Sequence, residues 1–86
     1  MLSTSVIVKN PAGLHARPAV ELIKLAKNYK CRIFLQNERK KANCISIMEV
    51  MALGAVKDSE LLLITEGSDE EEALTAVKKY IDELEE

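Results

Sequence analysis

The sequence predicts an α+β fold in which one β-sheet is covered on one face by helices. Apolar and polar residues alternate at residues 2–9 and 31–36, a polar turn and an apolar run mark two further strands, and apolar stripes or capping signals mark three helices, in the order β-α-β-β-α-β-α. The apolar residues of the predicted helices form stripes on one side, so each helix has one face to bury. With 86 residues the chain suits one domain, and we expect that domain to span residues 1–86.

The first strand and the first helix are predicted at residues 2–9 and 16–27. The strand is predicted from its alternation, and it should stop at Asn10-Pro11. Pro18 supports a helix start near Ala16, because a proline in the first turn lacks an N–H that would have had no intrahelical partner. We expect the following residues of this helix to face inward: Ala16, Ala19, Val20, Ile23 and Ala26.

A hairpin and a short helix are predicted next. Strands at residues 31–36 and 40–43 flank a polar turn. Ser46 and Glu49 have the spacing of a capping box, in which the hydroxyl and the carboxylate each accept the other residue's backbone N–H. A short helix should therefore begin there and end at Gly54, a residue type that favours the position after a helix.

The last strand and the last helix complete the pattern. The strand is predicted at residues 60–66, and a second capping box at residues 68–71 should start the helix, since acidic residues suit the positive end of its dipole. We expect the following residues of this helix to face inward: Ala73, Leu74, Val77, Ile81 and Leu84.

Composition argues against several classes of function. The chain has 12 basic and 14 acidic residues, two Tyr, one Phe and no Trp, so a nucleic-acid partner is not expected. The longest apolar run, Leu61 to Ile64, is far shorter than the about 20 residues of a membrane span, so no membrane partner is expected either. The first residues lack the features of a secretory signal, and we expect a cytoplasmic location.

The two cysteines give no sign of a metal or disulfide site. Cys31 and Cys44 form no C-x-x-C pair and have no neighbouring His. We interpret both as small buried apolar residues, and we expect neither a metal nor another cofactor.

The segment from Gly13 to Ala19 places the only histidine, His15, at the N-terminal edge of a predicted helix. Helix N–H groups and the positive end of the dipole lie there, so a phosphoryl group on the imidazole would find donors such as the N–H groups of Ala16 and Arg17. The Arg17 guanidinium could contact phosphate oxygens and offset the charge of a transfer reaction. Without such a role, His15 would be an ordinary surface residue near a helix cap.

The segments Gly-Leu-His-Ala-Arg-Pro-Ala (13–19) and Ser-Ile-Met-Glu-Val-Met-Ala-Leu-Gly (46–54) resemble the two signatures of the HPr family. These are the histidine-containing phosphocarrier proteins of the phosphoenolpyruvate-dependent sugar phosphotransferase system. The resemblance covers essentially the whole chain and implies an open-faced β-sandwich, with an antiparallel sheet in the order 1-4-2-3 and three helices on one side. It further implies that His15 accepts phosphate on Nδ1 from phosphorylated Enzyme I and passes it to IIA domains of sugar permeases, while Arg17 stabilises the phosphate. Such a carrier is modified but is not an enzyme, and we expect a monomer.

The second signature implies a docking surface. Ile47, Met48 and Met51 match residues that form an exposed apolar patch in the family, whereas Val50 and Leu53 are expected in the core. Plain core packing is the alternative for each of the three. Flexible Met side chains suit a surface that must fit several partners.

Ser46 matches a serine that HPr kinase/phosphorylase modifies in Gram-positive relatives, and its alternative role is a helix N-cap. Three residues depart from the family pattern: Ala12 replaces a small polar residue, Ile45 a common basic residue and Glu49 a usual Gly. The last two make the surroundings of Ser46 less favourable to phosphate.

Two functions remain as hypotheses. The first is a phosphoryl carrier, in a sugar-related or a nitrogen-related branch of the system. The second is an HPr-like regulatory adaptor that uses the apolar patch and Ser46 phosphorylation to dock, for example to a catabolite-control transcription factor. His15 and Arg17 discriminate between the two, because a pure adaptor needs neither.

Overall fold

The computed structural model describes residues 1–85, and its elements follow the predicted order. They are β1 (Leu2–Ile7), α1 (Ala16–Ala26), β2 (Arg32–Asn37), β3 (Lys40–Asn43), α2 (Ile47–Ala52), β4 (Glu60–Glu66) and α3 (Glu70–Asp82). None of the helices within these residues combines the length and the apolar character needed to cross a bilayer.

The four strands form one antiparallel sheet in the order β1-β4-β2-β3, as the resemblance implied. The central strand β4 has Leu63 between Thr4 of β1 and Leu35 of β2. Leu63 and Leu35 are buried on the side of the helices, while Leu62 on the opposite side is 40% exposed. One face of the sheet therefore carries the core, and the other face is open.

The first strand and the first helix differ in detail from the prediction. β1 ends at Ile7, because Val8 bonds to a loop instead of β4: its N–H donates to Ser59 O at 2.9 Å. In α1 the buried residues are Pro18, Ala19, Leu22 and Ala26. Ala16 is exposed, Ile23 is half-buried and Val20 is 39% exposed, so the predicted stripe was partly wrong. The helix carries two adjacent apolar ridges, and the ridge that contains Leu22 packs inward.

The start of α3 also differs from the prediction. Asp69 is the N-cap residue, but its side chain makes no capping bond, so the predicted box at residues 68–71 is wrong. Its carboxylate instead accepts the N–H groups of Lys30 and Cys31, each at 2.8 Å. The bond from the Lys30 N–H is the main reason that the pKa of Asp69 lies below its usual range. Asp69 thus joins the segment before β2 to the start of α3.

Both cysteines are buried free thiols, in agreement with their interpretation as packing residues. Burial is the main cause that raises the pKa of Cys31 to about 11, and the neighbouring Asp69 adds to it. Burial alone raises the pKa of Cys44 to about 12. Neither thiol is in the reactive thiolate form at neutral pH.

Candidate functional site

The loop before α1 is fixed by hydrogen bonds around Gly13. The Gly13 N–H donates to Asn10 O at 3.1 Å, and Asn10 Nδ2 donates to Gly13 O at 2.6 Å. Gly13 has a φ of +70°, and a Cβ there would collide with the Ala55 carbonyl oxygen and lie 2.8 Å from the Val56 Cα. The next N–H, that of Leu14, donates to Ala55 O at 3.1 Å. A glycine is therefore required where this loop packs against the segment after α2.

His15 is the N-cap residue of α1, as the sequence predicts. Its backbone is extended, with a φ of −85° and a ψ of −171°. The His15 N–H donates to Gly13 O at 3.0 Å, and the His15 carbonyl accepts the Ala19 N–H at 3.0 Å. The backbone of the half-buried histidine is thus held from both sides.

The first turn of α1 provides positive potential beside His15. Ala16 and Arg17 are the first two helical residues, and N–H groups at these positions have no intrahelical acceptor in an α-helix. The first turn contains no acidic residue that would offset the helix dipole. Arg17 is exposed, and its cationic side chain starts from this end of the helix.

Tyr80 of α3 contacts the beginning of α1, a contact that the sequence did not indicate. Its hydroxyl donates to the Glu21 carboxylate at 2.8 Å and lies 3.3 Å from the Pro18 carbonyl oxygen. These two contacts join α3 to the part of α1 that directly follows His15 in the chain.

Ser46 is the N-cap of α2, but the predicted capping box is only half formed. Its hydroxyl oxygen accepts the Glu49 N–H at 3.3 Å. The Glu49 carboxylate accepts the Asn43 N–H at 3.0 Å instead of the Ser46 N–H, which already donates to Asn43 O at 3.0 Å. Glu49 therefore ties α2 back to the end of β3, and its charge is held near the cap.

The second signature divides into buried and exposed residues. Val50 and Leu53 are buried, whereas Ile47 and Met51 are exposed and Met48 has 80% of its surface exposed. Helices α1 and α2 contact each other, and the bond from Leu14 to Ala55 joins their adjoining segments. Two further exposed apolar side chains, which the sequence reasoning did not assign to the docking surface, flank α2 in the chain: Ile45 and Val56.

Metal-binding side chains do not cluster in the described part of the chain. Within residues 1–85, no three His, Cys, Asp or Glu residues are placed to hold a metal ion together.

Comparisons with known proteins identify the family. A family model described as the PTS HPr component phosphorylation site matches residues 2–83. The HPr-like protein Crh of Halalkalibacterium halodurans is 40% identical over 82 residues, which cover 95% of this chain and 98% of the relative. Phosphocarrier protein HPr of Buchnera aphidicola is 42% identical over 73 residues, covering 85% and 86% of the two chains.

Solved structures give the same result. The crystal structure of HPr-C-His from Thermoanaerobacter tengcongensis superposes with a TM-score of 0.91 at 38% identity, covering 95% of this chain and 92% of the other. The chain therefore belongs to the HPr family, the phosphocarrier proteins of the phosphotransferase system.

Proposed function

We propose that the chain carries a phosphoryl group on Nδ1 of His15, between phosphorylated Enzyme I and IIA domains of sugar permeases. The position of His15 at the N-terminus of α1 carries this proposal. Helix N-termini bind phosphate through their N–H groups and their positive potential. A histidine here can be a nucleophile whose product is stabilised as it forms.

The transfer needs no metal ligand or general base from this chain. The lone pair of Nδ1 in the neutral imidazole forms the new P–N bond, while the bond between phosphorus and the Enzyme I residue breaks and its electron pair stays with Enzyme I. Transfer to a IIA domain repeats the step with His15 as the leaving group. The chain contributes positioning and charge, which are the main protein contributions to phosphoryl transfer.

Three donors surround the phosphoryl group in this proposal. The backbone N–H groups of Ala16 and Arg17 bind its oxygens, and the Arg17 guanidinium offsets the charge that develops during transfer. Ala12 lies where a side-chain donor is usual in the family, so the backbone donors have to suffice.

The large exposed apolar residues of α2 form the docking patch: Ile47, Met48 and Met51. An apolar patch on an otherwise polar and charged protein surface marks a contact site, and flexible Met side chains adapt to partners of different shape. Enzyme I and the IIA domains would use this one patch in turn, because each must bring its reactive residue to His15.

The test is phosphorylation by Enzyme I with phosphoenolpyruvate, followed by the mass of the intact protein. We expect one phosphoryl group, labile in acid and stable in alkali, and none on His15→Ala. Arg17→Ala should slow the transfer, with about 1.4 kcal/mol in the barrier for each tenfold loss of rate. Lys24→Ala is the control, since it removes the same charge from the last turn of α1. Equal phosphorylation of His15→Ala and the parent would contradict the proposal.

A regulatory adaptor is the second candidate, favoured by the similarity to the HPr-like protein Crh. In this function HPr kinase/phosphorylase would modify Ser46, and the docking patch would bind a catabolite-control transcription factor. His15 and Arg17 favour the carrier, because the adaptor uses neither residue.

A further inference from the structure

Asn10 is a polar residue in the core, and its burial calls for an explanation. It is 1% exposed, and within residues 1–85 it shares the class of buried polar residues with Thr65. A buried amide is unfavourable unless hydrogen bonds compensate for lost hydration. Its contacts therefore indicate what the residue does.

The side chain of Asn10 acts on the loop that leads to His15. Asn10 Nδ2 donates to Gly13 O at 2.6 Å, and the same oxygen accepts the His15 N–H at 3.0 Å. One carbonyl thus joins the buried amide to the backbone of the phosphoryl acceptor. The Gly13 N–H in turn donates to the Asn10 carbonyl at 3.1 Å, so Asn10 holds this glycine at both its N–H and its C=O.

We propose that Asn10 is a positioning residue for His15, an inference that rests on the proposed role of His15 as acceptor. Loss of the Nδ2 donor would leave the peptide plane after Gly13 held on one side only, by the Leu14 N–H on Ala55 O, and so let its carbonyl oxygen tilt. That plane carries the oxygen that holds the His15 N–H, so its rotation would shift the histidine relative to the N-terminus of α1. A reacting group displaced by about 1 Å can lose about a hundredfold in rate.

The proposal separates rate from docking. Asn10 is buried and the patch on α2 is exposed, so loss of the Asn10 bond should change the maximal rate of transfer and leave the KM for Enzyme I unchanged. A merely structural role would lower stability and leave the rate of the folded protein unchanged.

The experiment compares Asn10→Ala, Asn10→Ser and Thr65→Val in phosphorylation by Enzyme I and in thermal unfolding. We expect Asn10→Ala to lose about ten- to a hundredfold in maximal rate with KM within about twofold. Asn10→Ser should be intermediate, because a Ser hydroxyl also bonds to nearby backbone groups, but more weakly. Thr65→Val removes the side-chain bond of another buried polar residue, from Thr65 Oγ1 to Glu70 O at 2.9 Å, and should lose stability without loss of rate.

A second readout does not depend on phosphorylation. Hydrogen exchange at the His15 N–H should be faster in Asn10→Ala than in the parent and unchanged in Thr65→Val. Faster exchange in Asn10→Ala, together with a parent protein that Enzyme I fails to phosphorylate, would overturn the carrier function and keep the role of the Asn10 contact. An unchanged maximal rate in folded Asn10→Ala, or an equal loss of rate in Thr65→Val, would overturn the positioning role. If Asn10→Ala does not fold, Asn10→Ser becomes the test variant. A maximal rate of phosphorylation and a hydrogen exchange of the His15 N–H equal to those of the parent would then overturn the proposal.

Discussion

Gly13→Ala tests whether the loop before His15 depends on close contact with the segment after α2. Gly13 has a φ of +70°, and an added Cβ would meet backbone atoms of Ala55 and Val56, which cannot move aside as a side chain end can. Gly54 is a matched control, because its φ is +66° and a Cβ there would meet nothing within 4 Å. Both substitutions force an L residue into the left-handed region, but only Gly13→Ala also creates a collision.

The structure gives a different magnitude for each variant. The left-handed conformation should destabilise each by about 1–2 kcal/mol. In Gly13→Ala, overpacking adds about 1–3 kcal/mol and the weakened bond from Leu14 to Ala55 about 0.5–1.5 kcal/mol. We therefore expect a loss of about 2.5–6.5 kcal/mol for Gly13→Ala against about 1–2 kcal/mol for Gly54→Ala. For a domain of this size, the larger loss is a considerable part of the about 4–13 kcal/mol of total stability.

Urea unfolding followed by circular dichroism measures both losses, and an unchanged m-value would show that the same transition is compared. Equal destabilisation of the two variants would refute the reasoning, because the collision with Ala55 would then have no consequence.

Three further predictions concern the surface, the pH dependence and Ser46. Met48→Asp should raise the KM for Enzyme I about tenfold or more, because a Met side chain that becomes buried in the complex contributes about 1.5–3 kcal/mol to binding. Because Met48 is exposed in the free protein, its stability should change by less than about 0.5 kcal/mol. An equal rise in KM for Leu62→Asp, on the open sheet face, would contradict the docking patch. Asp69→Asn should destabilise the protein at neutral pH. Because folding lowers the pKa of Asp69, its contribution is present above the unfolded pKa and is lost as the pH falls through the folded pKa. Urea unfolding across this pH range should show that the difference in free energy of unfolding between Asp69→Asn and the parent vanishes in acid. A difference that does not depend on pH, or an equal pH-dependent difference in Glu72→Gln, would contradict this role of Asp69. Glu49→Gln keeps an acceptor for the Asn43 N–H but removes the charge, so HPr kinase should phosphorylate Ser46 faster than in the parent; equal rates would show that Glu49 does not protect Ser46.

Elements with a clear local signal were predictable from the sequence. The bounds of β3 and β4, predicted from a polar turn and an apolar run, agree with the structure. The spacing of apolar residues in α3 predicted its inward face, which the burial of Ala73, Val77 and Ile81 confirms. The face of α1 was not determined by spacing, because both of its ridges are apolar and only packing against the rest of the core selects the one with Leu22. The sheet order came from the family resemblance, since alternation within strands does not say which strands pair.

Side-chain roles that depend on distant contacts were not predictable. Asp69 reads as part of a helix start in the sequence, but its carboxylate binds N–H groups of Lys30 and Cys31. Asn10 had only a weak signal, since Asn before Pro favours a turn without indicating a buried amide. The N-cap position of His15 was predictable, because Pro18 marks the first turn of the helix.

The most direct test of the carrier function is a long-range proton–nitrogen NMR spectrum of the protein after phosphorylation by Enzyme I and phosphoenolpyruvate. The account predicts that the Nδ1 resonance of His15 shifts and couples to phosphorus, while Nε2 keeps its proton. A protein that gains phosphate with an unchanged His15 imidazole would contradict the account.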